Sequence, residues 1–286
     1  MKSDIHYQSN NLKPLANQVA WVTGSSRGIG RAIAEELCRL GSKVAVHGLK
    51  ISDPKELEAG ESTQQVADDI AAEYNGETMA VWGDLSLENE VKRIADDIRA
   101  RWKNIDILVC CAGGNVGEQG VTFGEGGRPN NDDCLNISLD DFQSVMDRNL
   151  MTAVLCCREV APEMMERKSG RIIAIGSTGG CVGHQGLCTY RVAKAAVHMY
   201  TRCLAEQLRP YNIPVNCVAP GSVASERWWA AYGGKSKDRL IEDGTLERAA
   251  RPQELAGVVG FLCTPAGGYI SGQVIRFDAG EQRFPG

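Results

Sequence analysis

The sequence predicts a single α/β domain built on a doubly wound, Rossmann-type parallel sheet of about seven strands, with helices on both faces. Three observations carry this expectation. Short, near-continuous apolar runs alternate with amphipathic stretches of helical period along the chain, which is the pattern of a parallel sheet buried on both faces. The first apolar run passes through a glycine-rich turn straight into a helical pattern. No internal repeat or linker divides the 286 residues, a length that suits one large α/β domain.

The elements follow in order. Residues 1–17 are polar and read as an N-terminal arm, and 18–286 as the domain. QVAWVT (18–23) is a first strand, and GIGRAIAEELCRLG (28–41) a helix closed by Gly41. KVAVH (43–47) is a second strand, and 55–75 a helix announced by Asp53-Pro54. TMAVWG (78–83), the amphipathic helix 87–102 and IDILVCC (105–111) come next. A polar, glycine-rich stretch at 113–137 breaks the rhythm. Residues 140–168 then read as one long helix, in which Pro162 is expected to mark a kink or a restart. RIIAIG (171–176), a helix at 187–210, IPVNCVA (213–219), a helix at 252–263 and QVIRFD (273–278) complete the alternation. In such sheets ligands bind beyond the carboxyl ends of the strands.

Composition excludes several classes of function. With 36 acidic against 31 basic residues the chain is mildly acidic, and no basic stripe points to nucleic acid. No apolar run approaches the ~20 residues that span a bilayer, so no membrane partner is expected. The polar start lacks the apolar stretch of a signal peptide; a cytoplasmic protein is the expectation. The eleven cysteines show no paired C-x-x-C spacing. Most lie in apolar runs (Cys110, Cys111, Cys156, Cys157, Cys217, Cys263), where a thiol behaves as a small hydrophobe. Cys181, His184 and Cys188 cluster in sequence but lack a fourth ligand, so no metal site is expected.

Two stretches carry chemistry. The first strand runs into TGSSRGIG, residues 23–30. Glycines there allow a tight turn and close backbone approach to a pyrophosphate, and the following helix aims free N–H groups at the anion. Gly24, Ser26, Arg27, Gly28, Ile29 and Gly30 are the candidate phosphate binders. The second stretch, STGGCVGHQGLCTYRVAKAA, places Ser177 after a strand and then Tyr190 and Lys194 one helical turn apart, on one helix face. A cation beside a phenol favours the phenolate, which suits general acid–base catalysis near neutral pH.

Taken together, these motifs resemble the classical short-chain dehydrogenase/reductase family, from Val19 to about Asp278. The loop is T-G-x-x-x-G-x-G; Asp84 follows the third strand; CCAGG (110–114) stands where the family has N-N-A-G. Asn149 in DRNL matches a helix-borne catalytic asparagine, and Ser177, Tyr190 and Lys194 match the serine and the Y-x-x-x-K. Pro220-Gly221 follows the sixth strand, with Ser225 where threonine is more usual. The resemblance implies an NAD(P)-dependent oxidoreductase acting on a small carbonyl or alcohol substrate. In it Tyr190 is the acid/base, Ser177 binds the substrate oxygen, Lys194 holds the nicotinamide ribose, and Asn149 supports a water that relays protons to Lys194. It further implies that Asp84, Leu85, Ala112, Gly113, Pro220, Gly221, Val223 and Ser225 line the cofactor. It also implies a homotetramer or homodimer through the helices that hold Asn149 and Tyr190. The cysteines of CCAGG replace asparagines that tie strands together, which puts local hydrogen bonding in question.

The second strand ends in VAVHGLKISD, with no acid before Asp53, where an acid would bind the ribose 2′-hydroxyl of NAD. Arg27, His47 and Lys50 instead offer positive charge near a 2′-phosphate. NADP(H) is therefore favoured over NAD(H), although Leu49 stands where the family usually has arginine. A lid is expected at 222–244, in which Trp228, Trp229 and Tyr232 wall the substrate or pack the lid down. The polar residues of 115–136 either bind a polar substrate or form a solvated excursion. His184 is a pocket candidate. The competing reading is a catalytically silent nucleotide-binding sensor or scaffold of the same fold.

Overall fold

A computed structural model describes residues 13–49, 62–120, 127–226, 228–229 and 245–281. The arm ends in a turn at 13–17, where Leu15 is fully buried and its N–H donates to the Leu40 carbonyl. Seven strands follow: β1 Val19–Val22, β2 Lys43–Gly48, β3 Thr78–Trp82, β4 Ile107–Cys110, β5 Arg171–Ile175, β6 Val215–Pro220 and β7 Val274–Phe277. They form one sheet in the order β3-β2-β1-β4-β5-β6-β7, with every pair parallel. The order reverses between β1 and β4, the switch point at which such sheets open a crevice.

The crossovers are helical. They are α1 Gly28–Arg39, α2 Thr63–Tyr74, α3 Glu88–Trp102, α4 Leu139–Met146, α5 Thr152–Arg167, α6 Cys188–Leu208 and α7 Pro252–Cys263. Their ends are written locally. Ser62 caps α2 by accepting from the Gln65 N–H, and Asn75 closes it in the left-handed region. Helix α3 opens on Glu88 and Glu90 and ends on Arg99 and Arg101, complementing its dipole. The described part of the expected helix 55–75 begins at Thr63; residues 50–61 lie outside the described residues.

The two sheet faces bury separate cores. Trp21, Ile94, Ile98, Leu108, Val160 and Met164 pack on one side, and Ile33, Leu37, Val44, Ile107, Ile173 and Leu255 on the other. One detail departs from the sequence reading. The helical run at 140–168 continues through Pro162 without a break, but Asp147–Met151 between α4 and α5 forms a π turn. A π turn adds a residue to one turn, shifts the phase of every side chain after it, and recurs at functional sites.

Candidate active site

A cleft of about 340 Å³ opens beyond the carboxyl ends of the strands, within the range of small-molecule sites. At one end it is built from main chain. Gly24 (φ +62°) and Gly28 (φ +54°) adopt the left-handed region. A Cβ on Gly30 would overlap the Gly24 carbonyl oxygen, and one on Gly24 would sit 2.8 Å from Ala112 Cα. Helix α1 starts at Gly28 with no side-chain cap from Arg27 and no acid in its first turn, so its leading N–H groups and positive dipole end suit an anion. Ser25 stitches this loop to the sheet: its Oγ donates to the Val22 carbonyl and accepts from the His47 N–H at 2.8 Å.

His47 corrects the sequence reading. It lines the cleft but is 4 % exposed. Its Nδ1 accepts from the Gly24 N–H (3.0 Å) while Nε2 faces the Gly83 carbonyl (3.1 Å) as donor. Burial pulls its pKa down to about 4, so at neutral pH it is an uncharged strut between loop and sheet, not a cation for phosphate. Arg27, Gly48 and Leu49 stand in the wall; Lys50 lies outside the described residues. Asp84 and Leu85 line the next stretch, where Asp84 accepts from the Ser86 N–H and hydroxyl.

In the middle, Thr23 resolves the CCAGG departure. Its Oγ1 accepts from both the Cys111 and Ala112 N–H groups at 2.9 Å, so the segment is tied to β1 without asparagine. Cys110 packs against Cys157 with its sulfurs 3.9 Å apart. That neighbour and burial hold the Cys110 thiol well above the ordinary range. Ala112 and Gly113 line the cleft. A Cβ on Gly113 would press on Asn149 Oδ1 at 2.7 Å.

Asn149 sits buried in the π turn. Its Nδ2 donates to the Gly114 and Val145 carbonyls (2.9 and 2.8 Å) and its Oδ1 accepts from the Gly114 N–H (3.0 Å). Both side-chain donors are thus committed to backbone, and the side chain pins the 113–114 segment. The same π turn puts Arg148 in the wall, and Thr152 follows it there. Neither was expected, because the apolar period of 140–168 runs through the phase shift.

At the other end the functional atoms belong to side chains. Tyr190 and Lys194 both line the cleft. The Lys194 ammonium is buried, lies 5.7 Å from the centre of the Tyr190 ring, and donates to the Ile175 carbonyl at 2.9 Å. An ammonium has three donors, and this bond uses one of them. Ser177 follows the wall residue Gly176 and caps a short 3-10 turn, Thr178–Cys181, by accepting from the Gly179 N–H at 3.1 Å. Behind it the neutral His198, its pKa lowered by burial to about 4, accepts from the Ser177 N–H at 3.5 Å. Arg191 ties the loop down through the Gly186 and Val182 carbonyls.

Pro220 and Ser225 line the cleft, while Gly221 and Val223 stand behind them, bonded to Phe277 and bridged to Ala250. Trp228 and Trp229 stack edge to face at 5.1 Å but form no part of the described wall. The rest of the expected lid, Tyr232 included, lies outside the described residues. His184 is exposed and accepts from the Gly186 N–H, so the structure does not bring it into the cleft. Cys181 and Cys188 face different partners, His198 and Cys134, and no group of metal ligands exists among the described residues. No helix among them is long and apolar enough to cross a membrane.

The residues present fit a dinucleotide: a cradle in which Gly24 and Gly30 have no room for a Cβ, an uncapped helix start, and a buried cation. Comparison with known proteins agrees. The short chain dehydrogenase family model matches residues 18–233. Cyclohexanol dehydrogenase of Rhodococcus sp. (strain TK6) is 33% identical, with 95% of this chain and 98% of that one covered. The 3-oxoacyl-[acyl-carrier-protein] reductase of Synechocystis sp. is 34% identical over 96% of this chain and all of that one (100%). A short-chain type dehydrogenase/reductase from Mycobacterium marinum superposes with a TM-score of 0.76, at 28% identity over 94% of this chain and 96% of that one. The chain belongs to the short-chain dehydrogenase family of NAD(P)-dependent oxidoreductases.

Proposed function

We propose that the protein interconverts a ketone or aldehyde and the corresponding alcohol on a small molecule, with NADP(H) preferred over NAD(H). The observation that carries this reading is the buried Lys194 ammonium held beside the Tyr190 ring in the wall of the glycine-cradled cleft. Bound nicotinamide supplies or accepts a hydride at carbon. The chain supplies the proton and the electrostatics. Tyr190 gives its phenolic proton to the carbonyl oxygen in reduction and takes it back in oxidation. The adjacent ammonium stabilises the phenolate left behind, and its remaining donors hold the ribose hydroxyls. The Ser177 hydroxyl accepts from Gly179 and keeps its own O–H to donate to the substrate oxygen, where charge develops. Asn149 keeps Gly113 and Gly114 in place in the cleft wall, where they would face the bound dinucleotide.

Two features support NADP(H). Arg27 stands in the wall with no ion pair to a described residue, and Gly48 and Leu49 at the end of β2 bring no carboxylate. The dehydrogenase and reductase names of the relatives support an alcohol–carbonyl pair without fixing direction. The test is to present the purified protein with a panel of cyclic and acyclic ketones with NADPH, and the matching alcohols with NADP, following nicotinamide absorbance. Turnover of at least one pair is expected. Tight nucleotide binding with no turnover across the panel would favour the silent sensor instead.

A further inference from the structure

Cys134 and Cys188, 54 residues apart in sequence, bring their sulfurs to 2.8 Å, closer than two non-bonded sulfurs normally rest. Of the eleven cysteines, eight are buried or face other groups, and the other close pair, Cys110 and Cys157, is buried at 3.9 Å. Cys134 is exposed and Cys188 half-buried, so this pair alone combines proximity with access. The chain around it is already seated. Asp132 accepts from the Thr189 N–H through Oδ1 and from Asn115 Nδ2 through Oδ2, and its carbonyl accepts from the Cys188 N–H. Asp133 folds the next turn by accepting from the Leu135 and Asn136 N–H groups. A sulfur–sulfur bond would therefore close between two backbones already joined by hydrogen bonds through Asp132.

We propose that Cys134 and Cys188 are a redox modification site, forming a reversible disulfide that staples the 127–137 segment to the first turn of α6, two residues before Tyr190. This rests on the sulfur geometry and not on the proposed reaction. The oxidant is a small-molecule disulfide of the glutathione class. The exposed Cys134 thiolate attacks one of its sulfurs, breaking that S–S bond and releasing one small thiol after protonation. Cys188 then loses its proton and attacks the Cys134 sulfur of the mixed disulfide, releasing the second small thiol. Two protein thiols are oxidised, one small disulfide is reduced to two thiols, and no other reactant is needed. The order of attack follows from surroundings. Hydrogen bonding to Cys134, burial and the Asp132 and Asp133 carboxylates push the Cys188 thiol up to about 11, which opposes the pull of the helix start on a thiolate. Cys134 is exposed and Cys188 half-buried, so the small disulfide meets Cys134 first and Cys188 is the resolving partner.

The full-length protein is equilibrated in buffers of stepped oxidised-to-reduced glutathione ratio, acid-quenched, alkylated and digested without reduction for mass spectrometry. The expected result is a Cys134–Cys188 linked peptide pair that grows with the ratio and vanishes in excess reduced glutathione. Cys134→Ser abolishes it. Cys188→Ser abolishes it and leaves a lasting glutathione adduct on Cys134, and Cys203→Ser, at an exposed thiol elsewhere, retains it. A glutathione adduct on Cys134 with Cys188 free at every ratio in the wild type would overturn the proposal. So would the absence of the linked pair from the wild type at every ratio. Neither result bears on the oxidoreductase reading.

Discussion

The two ends of the cleft are made of different material. Beside α1 the wall is main chain: Gly24, Gly28, Gly30, Gly83 and Gly113 bring the backbone to the surface, and Ser25 and His47 lock it to the sheet. Beside α6 the wall is side chain: Tyr190 and Lys194 project from one helix face, and Ser177, next to the wall residue Gly176, is not itself in the described wall. A backbone cradle is broken by adding atoms. A side-chain constellation is broken by removing them. Substitutions at the first end should therefore cost fold and nucleotide affinity together, whereas those at the second should cost chemistry with the fold intact.

The comparison is sharpened most strongly at Gly30. Gly30→Ala sets a methyl against the Gly24 carbonyl and 2.9 Å from Ser25 Cα, backbone that cannot yield cheaply. A loss of more than about 3 kcal/mol in urea unfolding is expected, with NADPH affinity lost in parallel. Gly28→Ala meets only Ser225 Cβ at 3.6 Å, so it bears chiefly the strain of φ +54°, roughly 1–2 kcal/mol. Equal losses at the two glycines would break the steric account.

Acid should strike the cradle next. His47 has a folded pKa near 4 against an ordinary 6.5, so between those values the unfolded chain binds more protons than the folded one. Its contribution is fully present above pH 6.5 and is lost as pH falls toward 4, by about 3 kcal/mol at one unit per 1.36 kcal/mol. His198 is shifted in the same direction to about 4 and adds to the slope. Unfolding free energy measured from pH 6.5 to 4 should fall steeply; a flat profile would mean that His47 is not the neutral strut described.

Smaller effects separate nucleotide recognition from everything else. Arg27→Ala should weaken NADPH binding about tenfold, or about 1.4 kcal/mol, and leave NADH unchanged in fluorescence titration. Equal losses for both would remove Arg27 as a reader of the 2′-phosphate. His184→Ala, at an exposed loop position, should change stability by less than about 0.5 kcal/mol and leave kcat unaltered. A large drop in kcat would put His184 back among the working residues.

The cradle was legible in the sequence because its signal is local: glycines at fixed offsets between a strand and a helix. Tyr190 and Lys194 were legible for the same reason, one turn apart on one helix. What escaped depended on burial or on distance along the chain. His47 reads as a cation by residue type, and only its burial between Gly24 and Gly83 makes it neutral. The π turn at Asp147–Met151 leaves no mark on the apolar period, so Arg148 and Thr152 were missed. Cys134 meets Cys188 across 54 residues, a pairing no spacing rule proposes, and the polar run at 115–136 spends Asn115 and Asp132 on holding itself to α6.

The most direct test of the account removes one oxygen atom from the side-chain end. Tyr190→Phe keeps the ring beside Lys194 and deletes the proton donor. NADPH affinity and turnover of the best carbonyl substrate should be measured on the same preparation. The account predicts an unchanged Kd and a fall in kcat of about 10²–10⁴. Turnover within a few-fold of wild type would contradict the assignment of Tyr190 as acid and base.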